Sequence, residues 1–272
     1  MVIPNARIEL RDFAARHPRV YRILFRIYCR LGTNPRPPQL FNFVGGERYQ
    51  ELGLGHFENL RGIAGAAVDD RVLDVGCGIG RVAVHFMDYL NSDGRYDGFD
   101  IVGLGVDWCN RRIARRRRNF RFRHVDLYNA EYNPTGRLDA TTFKFPYADA
   151  CFSLVFATSV LTHLLPDAAL NYLREMSRVL EPGGRSLVTF FVINEESRRC
   201  MPSSAFHFQH TKREFWTMVP DNPEAAIAFD EDHIRDMYRQ ANLELQPPIR
   251  YGSWSGRNGA VGGQDIVLAI KR

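Results

Sequence analysis

Short apolar runs alternate along the chain with stretches of helical periodicity, the pattern expected of alternating strands and helices. Five strands are predicted at 71–75, 95–100, 119–124, 151–157 and 185–191, and two more at 243–245 and 265–270. Helices are predicted at 47–63, 81–90, 166–180 and 230–241. The run at 151–157 is apolar throughout, which is typical of a central parallel strand buried on both faces. The pattern therefore predicts an α/β sheet covered by helices.

The first 42 residues show a different pattern, a helical stretch followed by a proline-rich linker. Apolar residues fall on one helical face and arginines on another: Phe13, Val20, Leu24, Ile27 and Leu31 against Arg19, Arg22, Arg26 and Arg30. One interpretation is a cap that packs on the domain or on a second copy in a homodimer. The other is a basic surface helix that contacts anionic lipid or a charged substrate, as a peripheral membrane contact.

Composition and charge narrow the class of protein. The apolar fraction of 45% and the charged fraction of 25% are ordinary for a soluble globular chain, and no apolar run of about 18 residues predicts a membrane span. Charged residues stand near the N-terminus where a signal peptide needs its apolar core. Five scattered cysteines without a C-x-x-C pair indicate reduced thiols and a cytoplasmic protein. The net charge of +5 permits an anionic partner without establishing one.

A glycine-rich turn follows the first predicted strand. Gly76, Gly78 and Gly80 form G-x-G-x-G, with Asp74 two residues ahead, whereas the dinucleotide fingerprint is G-x-G-x-x-G. Glycine permits backbone angles that other residues resist, and it lets a ligand lie against the main chain. A strand that leads into such a turn and a helix is where open α/β sheets bind nucleotides.

Two carboxylates follow the next two strands. Asp100 ends the second strand about 20 residues past the glycine turn, where a carboxylate can accept hydrogen bonds from both ribose hydroxyls. The alternative role for Asp100 is the N-cap of the segment that follows. Asp126 lies just past the third strand and, taken alone, is an ordinary loop carboxylate.

These motifs stand in one order with the His163 segment after the fourth strand and with Glu181-Pro182-Gly183-Gly184 before the fifth. In this respect the region 43–196 resembles the class I S-adenosylmethionine (SAM) methyltransferases of the broad type 11-like group, in particular bacterial enzymes that act on glycans or natural products. The resemblance implies a Rossmann-like fold with a seven-stranded sheet in the order 3-2-1-4-5-7-6, strand 7 being antiparallel. It also divides the chain into an N-terminal helical extension, 1–42, and a methyltransferase domain, 43–272.

The resemblance implies SAM as cofactor, S-adenosylhomocysteine as product, and a set of cofactor-binding residues. These residues are Asp74, Gly76, Gly78, Gly80, Asp100, Ile101, Asp126, Leu127, Ala157 and Thr158. Asp100 would hold the ribose and Asp126 the adenine amino group, while the glycine turn and the backbone near Thr158 would face the methionine part. No cluster of aspartates or histidines has metal-ligand spacing, so no metal is predicted.

His163 is the candidate catalytic base, because it follows the fourth strand and histidine titrates near neutral pH. A structural role in the pocket is the alternative. In this family the insert after the fifth strand, 194–227 here, commonly contributes to the acceptor pocket; the other interpretation is a surface flap. His207 and His210 on that insert, with Tyr251 and Trp254 further along, are the candidate substrate-binding residues.

The predicted function is SAM-dependent methylation of an oxygen on a small-molecule natural product or a saccharide. One alternative is a nucleic-acid methyltransferase that uses the arginines between 111 and 118 as a phosphate track. No aromatic interleaving and no N-P-P-Y after the fourth strand accompany them, so we expect a solvated helix face and no nucleic-acid partner. A non-catalytic SAM-binding scaffold is the other alternative.

Overall fold

A computed structural model describes residues 48–212, 214–258 and 263–272, together with the isolated positions Val20, Ile23 and Ile27. The predicted N-terminal extension, 1–42, otherwise lies outside the described residues, and its boundary with the domain stays a prediction. The helices are α1 (Tyr49–Gly62), α2 (Ala83–Phe86), α3 (Gly103–Cys109), α4 (Pro166–Val179), α5 (Glu195–Cys200) and α6 (Glu231–Gln240). The strands are β1 (Arg71–Val75), β2 (Arg95–Asp100), β3 (Phe120–His124), β4 (Phe152–Ala157), β5 (Leu180–Phe190), β6 (Val192–Ile193), β7 (His210–Thr211), β8 (Trp216–Thr217), β9 (Ile227–Asp230), β10 (Leu243–Leu245) and β11 (Asp265–Lys271).

The main sheet has seven strands in the order β10-β11-β5-β4-β1-β2-β3. The strands β1 to β5 run parallel, and β11 runs antiparallel to both of its neighbours. Because β10 and β11 are the sixth and seventh strands of this sheet, the predicted order and the antiparallel seventh strand are confirmed. The chain leaves β1 toward β2 on one side and returns to β4 on the other, which opens a crevice at the carboxyl ends of β1 and β4.

Apolar residues cover both faces of the sheet. Three of the five residues of β1 are apolar with no exposed surface, namely Val72, Leu73 and Val75. One core lies between the sheet and α4 with α6, and the other lies between the sheet and α1, α2 and α3. On α4, Ala169, Leu173 and Met176 recur at helical spacing and are fully buried. Burial of a side chain such as Leu173 contributes about 1.5–3 kcal/mol to stability.

Some element boundaries differ from the predicted ones. The helix predicted at 81–90 contains only the four residues of α2, and the helix that should carry the arginines is α3 followed by a π-helical turn, Asn110–Ala114. Strand β5 begins at Leu180, ahead of the Pro-Gly-Gly turn, because Leu180 already pairs with Phe152. The turn is accommodated as an irregularity in the β4–β5 register, where Gly183 has a φ of 77°.

A second, small sheet of four strands, in the order β6-β9-β8-β7, was not predicted. Three of its strands are only two residues long, too short for any alternation of apolar and polar positions to mark them. It folds the insert together with α5 around a separate apolar cluster that includes Phe191, Phe208 and Trp254. The insert therefore folds into an ordered subdomain at the end of β5, next to the crevice.

Among the described residues, no helix has the length and apolar character needed to cross a membrane. Four cysteines in this part of the chain are not joined in disulfide bonds, namely Cys77, Cys109, Cys151 and Cys200.

Candidate active site

A cavity of about 1230 Å³ opens at the carboxyl ends of β1, β2 and β4. Its walls come from α1, the glycine turn, the ends of β2 and β4, the loop after β3 and the insert. Ligand cavities for one drug-sized molecule have volumes of roughly 300–1000 Å³. This cavity is therefore large enough for a cofactor and a second ligand together.

The glycine turn forms one wall of the cavity. Gly76, Gly78 and Gly80 have φ values of 75°, 55° and 78°, in the left-handed region that disfavours side chains. A Cβ on Gly76 would also lie 2.4 Å from Cγ2 of Val160, and one on Gly80 would lie 2.7 Å from Cδ1 of Ile113. The turn thus needs glycine for its backbone angles and for packing against its protein neighbours. Its main chain lines the cavity at Gly76 and Gly78, while Gly80 faces Ile113.

Asp100 lies at the cavity edge with only 8% of its surface exposed. Its Oδ2 accepts a hydrogen bond from the Gly78 N–H at 2.7 Å, and its Oδ1 accepts one from the Val102 N–H at 2.7 Å. Burial raises the pKa of Asp100, and these two backbone donors oppose the rise. Each carboxylate oxygen retains a second lone pair, so the group fits a ribose diol. The N-cap of α3 is Val102, without a side-chain cap, so Asp100 is not that cap.

The other two predicted carboxylates do not line the cavity. Asp74 is buried and accepts a hydrogen bond from the Tyr96 hydroxyl at 2.5 Å, and burial raises its pKa to about 7. Asp126 accepts from Nε of Arg137 at 2.7 Å, and this bond holds its pKa below the ordinary value. The sequence pattern places both near the site, but their carboxylates are paired with other protein groups.

The predicted cofactor residues thus fall into two sets. Those that line the cavity are Gly76, Gly78, Asp100, Ile101, Leu127 and Thr158; those that do not are Asp74, Gly80, Asp126 and Ala157. Ala157 has no exposed surface, because it belongs to the core of the sheet.

Helix α1 closes the cavity above the glycine turn. The Tyr49 hydroxyl donates to the Ile79 carbonyl at 3.2 Å, which ties the start of the helix to the turn. A Cβ on Gly53 would lie 2.3 Å from the Arg81 carbonyl oxygen, so this glycine lets the helix approach the main chain closely. Leu52, Leu54 and His56 of the same helix also line the cavity.

Arg81 places a positive charge in this part of the wall. It lines the cavity with 8% of its surface exposed, and it makes no hydrogen bond or ion pair with any residue in the described ranges. Burial lowers the pKa of Arg81, and burial with the neighbouring Arg81 charge lowers the pKa of His56 to about 3. The nearby Asp74 charge opposes this lowering of the Arg81 pKa, although Asp74 makes no direct ion pair with the guanidinium. A buried guanidinium without a direct partner is costly, so this corner favours an anionic ligand group.

His163 lies in a 3₁₀ turn, Leu161–His163, directly after β4, and it lines the cavity. Its Nδ1 is 2.8 Å from the Glu224 carbonyl oxygen. A carbonyl can only accept, so Nδ1 carries the proton and Nε2 of the neutral ring is an acceptor. Burial lowers the pKa of His163, although the Glu224 bond opposes this. Nε2 lies 3.5 Å from the Tyr132 hydroxyl.

Asn129 joins this histidine to the insert. Its Nδ2 donates to the His163 carbonyl at 3.0 Å and to Oε1 of Glu224 at 3.0 Å. Its Oδ1 accepts from the N–H groups of Glu131 at 3.1 Å and Tyr132 at 2.9 Å. Sequence reasoning missed Asn129 and Glu224, because neither belongs to a motif and their contact joins residues 95 positions apart.

Three aromatic residues, one on the insert and two outside it, form another wall of the cavity. Phe191, Phe206 and Trp254 line the cavity, and the Phe191 ring centroid lies 5.1 Å from that of Phe206 and 5.2 Å from that of Trp254. Trp254 is held by the fully buried Asp265, which accepts from its Nε1 at 2.6 Å. Of the predicted substrate residues, Trp254 therefore faces the cavity.

The other predicted substrate residues do not line the cavity. His210 is exposed on β7, and Nδ1 of His207 lies 2.9 Å from the Gln209 amide nitrogen. The Tyr251 hydroxyl donates to Glu231 at 2.7 Å, and the Arg257 guanidinium stacks on its ring at 4.4 Å. These contacts direct the three side chains to the surface or into the insert, so neither histidine is placed to act as a base.

The arginines between 111 and 118 do not share one solvated face. Arg112 is 6% exposed, with its guanidinium 5.1 Å from the Trp108 ring centroid, so the prediction is wrong for this residue. Arg115, Arg116 and Arg118 are exposed, and none of the six arginines lines the cavity. Among the described residues, no group of three or more His, Cys, Asp or Glu side chains is arranged to hold a metal ion.

Residues 72–184, from β1 to the glycines in β5, match the family described as a methyltransferase domain. The glycine turn, the buried carboxylate at the end of β2 and the order of the seven strands agree with that match. This region of the chain is a class I SAM-dependent methyltransferase domain. The predicted family, fold and cofactor are confirmed.

Two curated relatives show how far the likeness extends. The methyltransferase GfsG of Streptomyces halstedii is 30% identical over 186 residues, which cover 68% of this chain and 58% of that protein. The 27-O-demethylrifamycin SV methyltransferase of Amycolatopsis mediterranei is 30% identical over 137 residues, which cover 50% and 44%. The chain therefore spans about half the length of these relatives.

One solved structure is the 1,6-didemethyltoxoflavin-N1-methyltransferase of Burkholderia thailandensis, with 1,6-didemethyltoxoflavin and S-adenosylhomocysteine bound. It matches 100% of this chain and 93% of its own with a TM-score of 0.51 and 18% identity. At 18% identity this match is evidence for the fold alone.

Proposed function

We propose that this protein transfers the methyl group of SAM to a hydroxyl oxygen of a small-molecule natural product or a saccharide. The observation that carries the proposal is that His163 lines the same cavity as the glycine turn and Asp100. Its Nδ1 donates to the Glu224 carbonyl, which leaves Nε2 as the proton acceptor. A proton acceptor beside a cofactor site suits an acceptor that must lose a proton as it is methylated.

The cofactor half of the cavity would hold SAM through residues of the glycine turn and the end of β2. Asp100 would accept hydrogen bonds from the ribose hydroxyls, and the main chain at Gly76 and Gly78 would lie against the methionine part. Arg81 would offset the charge of the methionine carboxylate. When bound, SAM supplies a methyl group on a sulfonium, whose sulfur keeps the electron pair of the broken bond and becomes the thioether of S-adenosylhomocysteine.

His163 would act on the acceptor. As the acceptor oxygen forms its bond to the methyl carbon, Nε2 takes the hydroxyl proton and the ring becomes an imidazolium. The Glu224 carbonyl, which already accepts from Nδ1, stabilises that charged ring. Asn129 holds both partners in place through its two donor hydrogens. The proton then leaves to solvent, which restores the neutral base.

The relatives support a small-molecule acceptor. One relative is a 27-O-demethylrifamycin SV methyltransferase, and the solved structure of the Burkholderia thailandensis enzyme holds 1,6-didemethyltoxoflavin. No residue of the arginine cluster lines the cavity, so this cluster does not support the nucleic-acid alternative. The scattered free thiols support a cytoplasmic location as part of the proposal.

The test is transfer of labelled methyl from SAM into a source-cell extract that is fractionated into small molecules, glycans, protein and nucleic acid. Calorimetry with S-adenosylhomocysteine is done first. Product binding with label in the small-molecule or glycan fraction supports the proposal. Label in nucleic acid would overturn it in favour of the arginine track, and product binding without any labelled fraction would favour the scaffold.

A further inference from the structure

The cavity continues beyond the predicted cofactor residues into a region that we name the acceptor half. It comprises Leu54, Tyr128, Asn129, Tyr132, Ser159, His163, Thr189, Phe191, Ser204, Phe206, Trp254 and Gln264, all of which line the cavity. The chemistry of this surface separates the two acceptor classes in the proposed function, a saccharide and a less polar natural product.

The polar side chains of the acceptor half are largely occupied by protein partners. The Asn129 amide uses all four of its hydrogen-bonding positions within the protein. The Ser204 hydroxyl donates to the Trp254 carbonyl and accepts from the Phe206 N–H. A ligand hydroxyl in contact with these groups would therefore find little hydrogen-bonding capacity left.

Three further polar side chains of the acceptor half, near the ends of the strands, are also occupied by protein partners. The Ser159 hydroxyl donates to Oε1 of Gln264 at 3.0 Å, and the Thr189 hydroxyl donates to the same oxygen at 2.7 Å. Thr189 also accepts from the Ser159 N–H at 2.8 Å. The Ser159, Thr189 and Gln264 side-chain oxygens therefore bond one another. Nε2 of His163, 3.5 Å from the Tyr132 hydroxyl, is the ring nitrogen that this half offers to an acceptor hydroxyl.

Large apolar side chains, in contrast, line the cavity and are left open to solvent. Leu54 is 44% exposed, Tyr128 50% and Phe206 42%. Phe206 packs on Phe191, and its other contacts leave much of the ring uncovered. Exposed apolar surface grouped around a cavity is typical of a site that a ligand covers.

We propose that the acceptor is a predominantly apolar, ring-bearing molecule with an isolated hydroxyl, and that it is not a saccharide. This inference rests on the proposed function and narrows its substrate class. Each sugar hydroxyl that loses water without gaining a partner lowers affinity by roughly five- to a hundredfold. A ring scaffold covers the aromatic wall and presents its single hydroxyl to His163 without that loss.

The test measures binding of two probes to the full chain saturated with S-adenosylhomocysteine. One is 2-naphthol, which has fused rings and one hydroxyl, and the other is methyl β-D-glucopyranoside, which has several hydroxyls. We expect 2-naphthol to bind at least about tenfold more tightly. Equal affinities, tighter binding of the glucoside, or no binding of 2-naphthol would overturn the inference. Product binding is measured first, so a failure of the proposed function is seen separately.

A matched pair of variants locates the site. Phe206→Ser should weaken 2-naphthol binding by about tenfold or more and leave S-adenosylhomocysteine affinity unchanged. Val219→Ser is the control, because Val219 is also on the insert, is 40% exposed and does not line the cavity. Tyr128→Ser, at another exposed side chain that lines the cavity, provides an independent variant if Phe206→Ser does not fold. Unchanged 2-naphthol affinity in the folded variants would contradict the inference.

Discussion

The two halves of the cavity differ in how the chain assembles them. The cofactor half takes its glycine turn and Asp100 from the ends of neighbouring strands, so the sheet order alone brings them together. The acceptor half depends on hydrogen bonds between three separate loops, because Asn129 and His163 are held together by Glu224 of the insert. A site at strand ends can be predicted from local sequence patterns and the order of the strands. A site assembled from loops depends in addition on how the insert folds.

Two carboxylates show the same contrast within the cofactor half. Asp100 is the last residue of β2 and Asp126 lies just past the end of β3, and sequence reasoning assigned both to SAM. Asp100 points to the glycine turn and lines the cavity, while Asp126 pairs with Arg137 outside it. Position after a strand therefore does not decide a role unless the side-chain partners are also known.

The largest expected effect is at the junction of the two halves. His163→Ala should lower kcat by about a hundred- to ten-thousandfold, because the acceptor hydroxyl loses its base. The affinity for S-adenosylhomocysteine should stay the same in calorimetry. His210→Ala is the matched control, since that histidine is exposed and outside the cavity. Full turnover in His163→Ala would return the residue to a structural role.

The cofactor half is tested by Asp100→Ala. Loss of the charge-assisted hydrogen bonds should weaken S-adenosylhomocysteine binding by about 1–3 kcal/mol. Asp126→Ala should change the affinity much less, because its carboxylate is paired with Arg137 and does not line the cavity. Calorimetry on both variants measures the contrast. An equal loss in the two variants would instead support the predicted adenine role of Asp126.

Arg81→Met should weaken S-adenosylhomocysteine binding by about tenfold, since the buried cation would no longer meet the methionine carboxylate. Binding of 5′-methylthioadenosine, which lacks the amino and carboxylate groups, should be unaffected. Arg115→Met, an exposed arginine outside the cavity, is the control. If both ligands lose affinity equally, Arg81 supports the turn and does not bind the carboxylate.

The smallest effect is a pH dependence. Burial lowers the pKa of His163 from its ordinary value of 6.5, so the ring is neutral and active at neutral pH. Activity should fall only as the pH drops through this lowered pKa, which protonates Nε2. The acid limb of kcat/KM should therefore have its midpoint below 6.5. A midpoint above that value would mean that another group controls the limb.

The family could be predicted from the sequence because its signals are local. A turn that needs positive φ is marked by its glycines, and a buried strand is marked by a run of adjacent apolar residues. The strand β1, the Gly76–Gly80 turn and Asp100 could therefore be predicted from short stretches of sequence. The sheet order then followed from the family resemblance. The signals failed where elements were short, as in α2 and the second sheet.

The primary sequence by itself thus determined the α/β sheet, the cofactor turn and the position of His163 after the fourth strand. Only the tertiary structure decided which nitrogen of His163 carries its proton, because the Glu224 carbonyl that settles it comes from 61 residues away. It also decided that Asp126 turns to Arg137 and that Trp254, unlike Tyr251, faces the cavity. The reason is physical: backbone pattern depends on neighbouring residues, whereas a buried polar group takes whichever partner the packed chain brings within hydrogen-bonding distance.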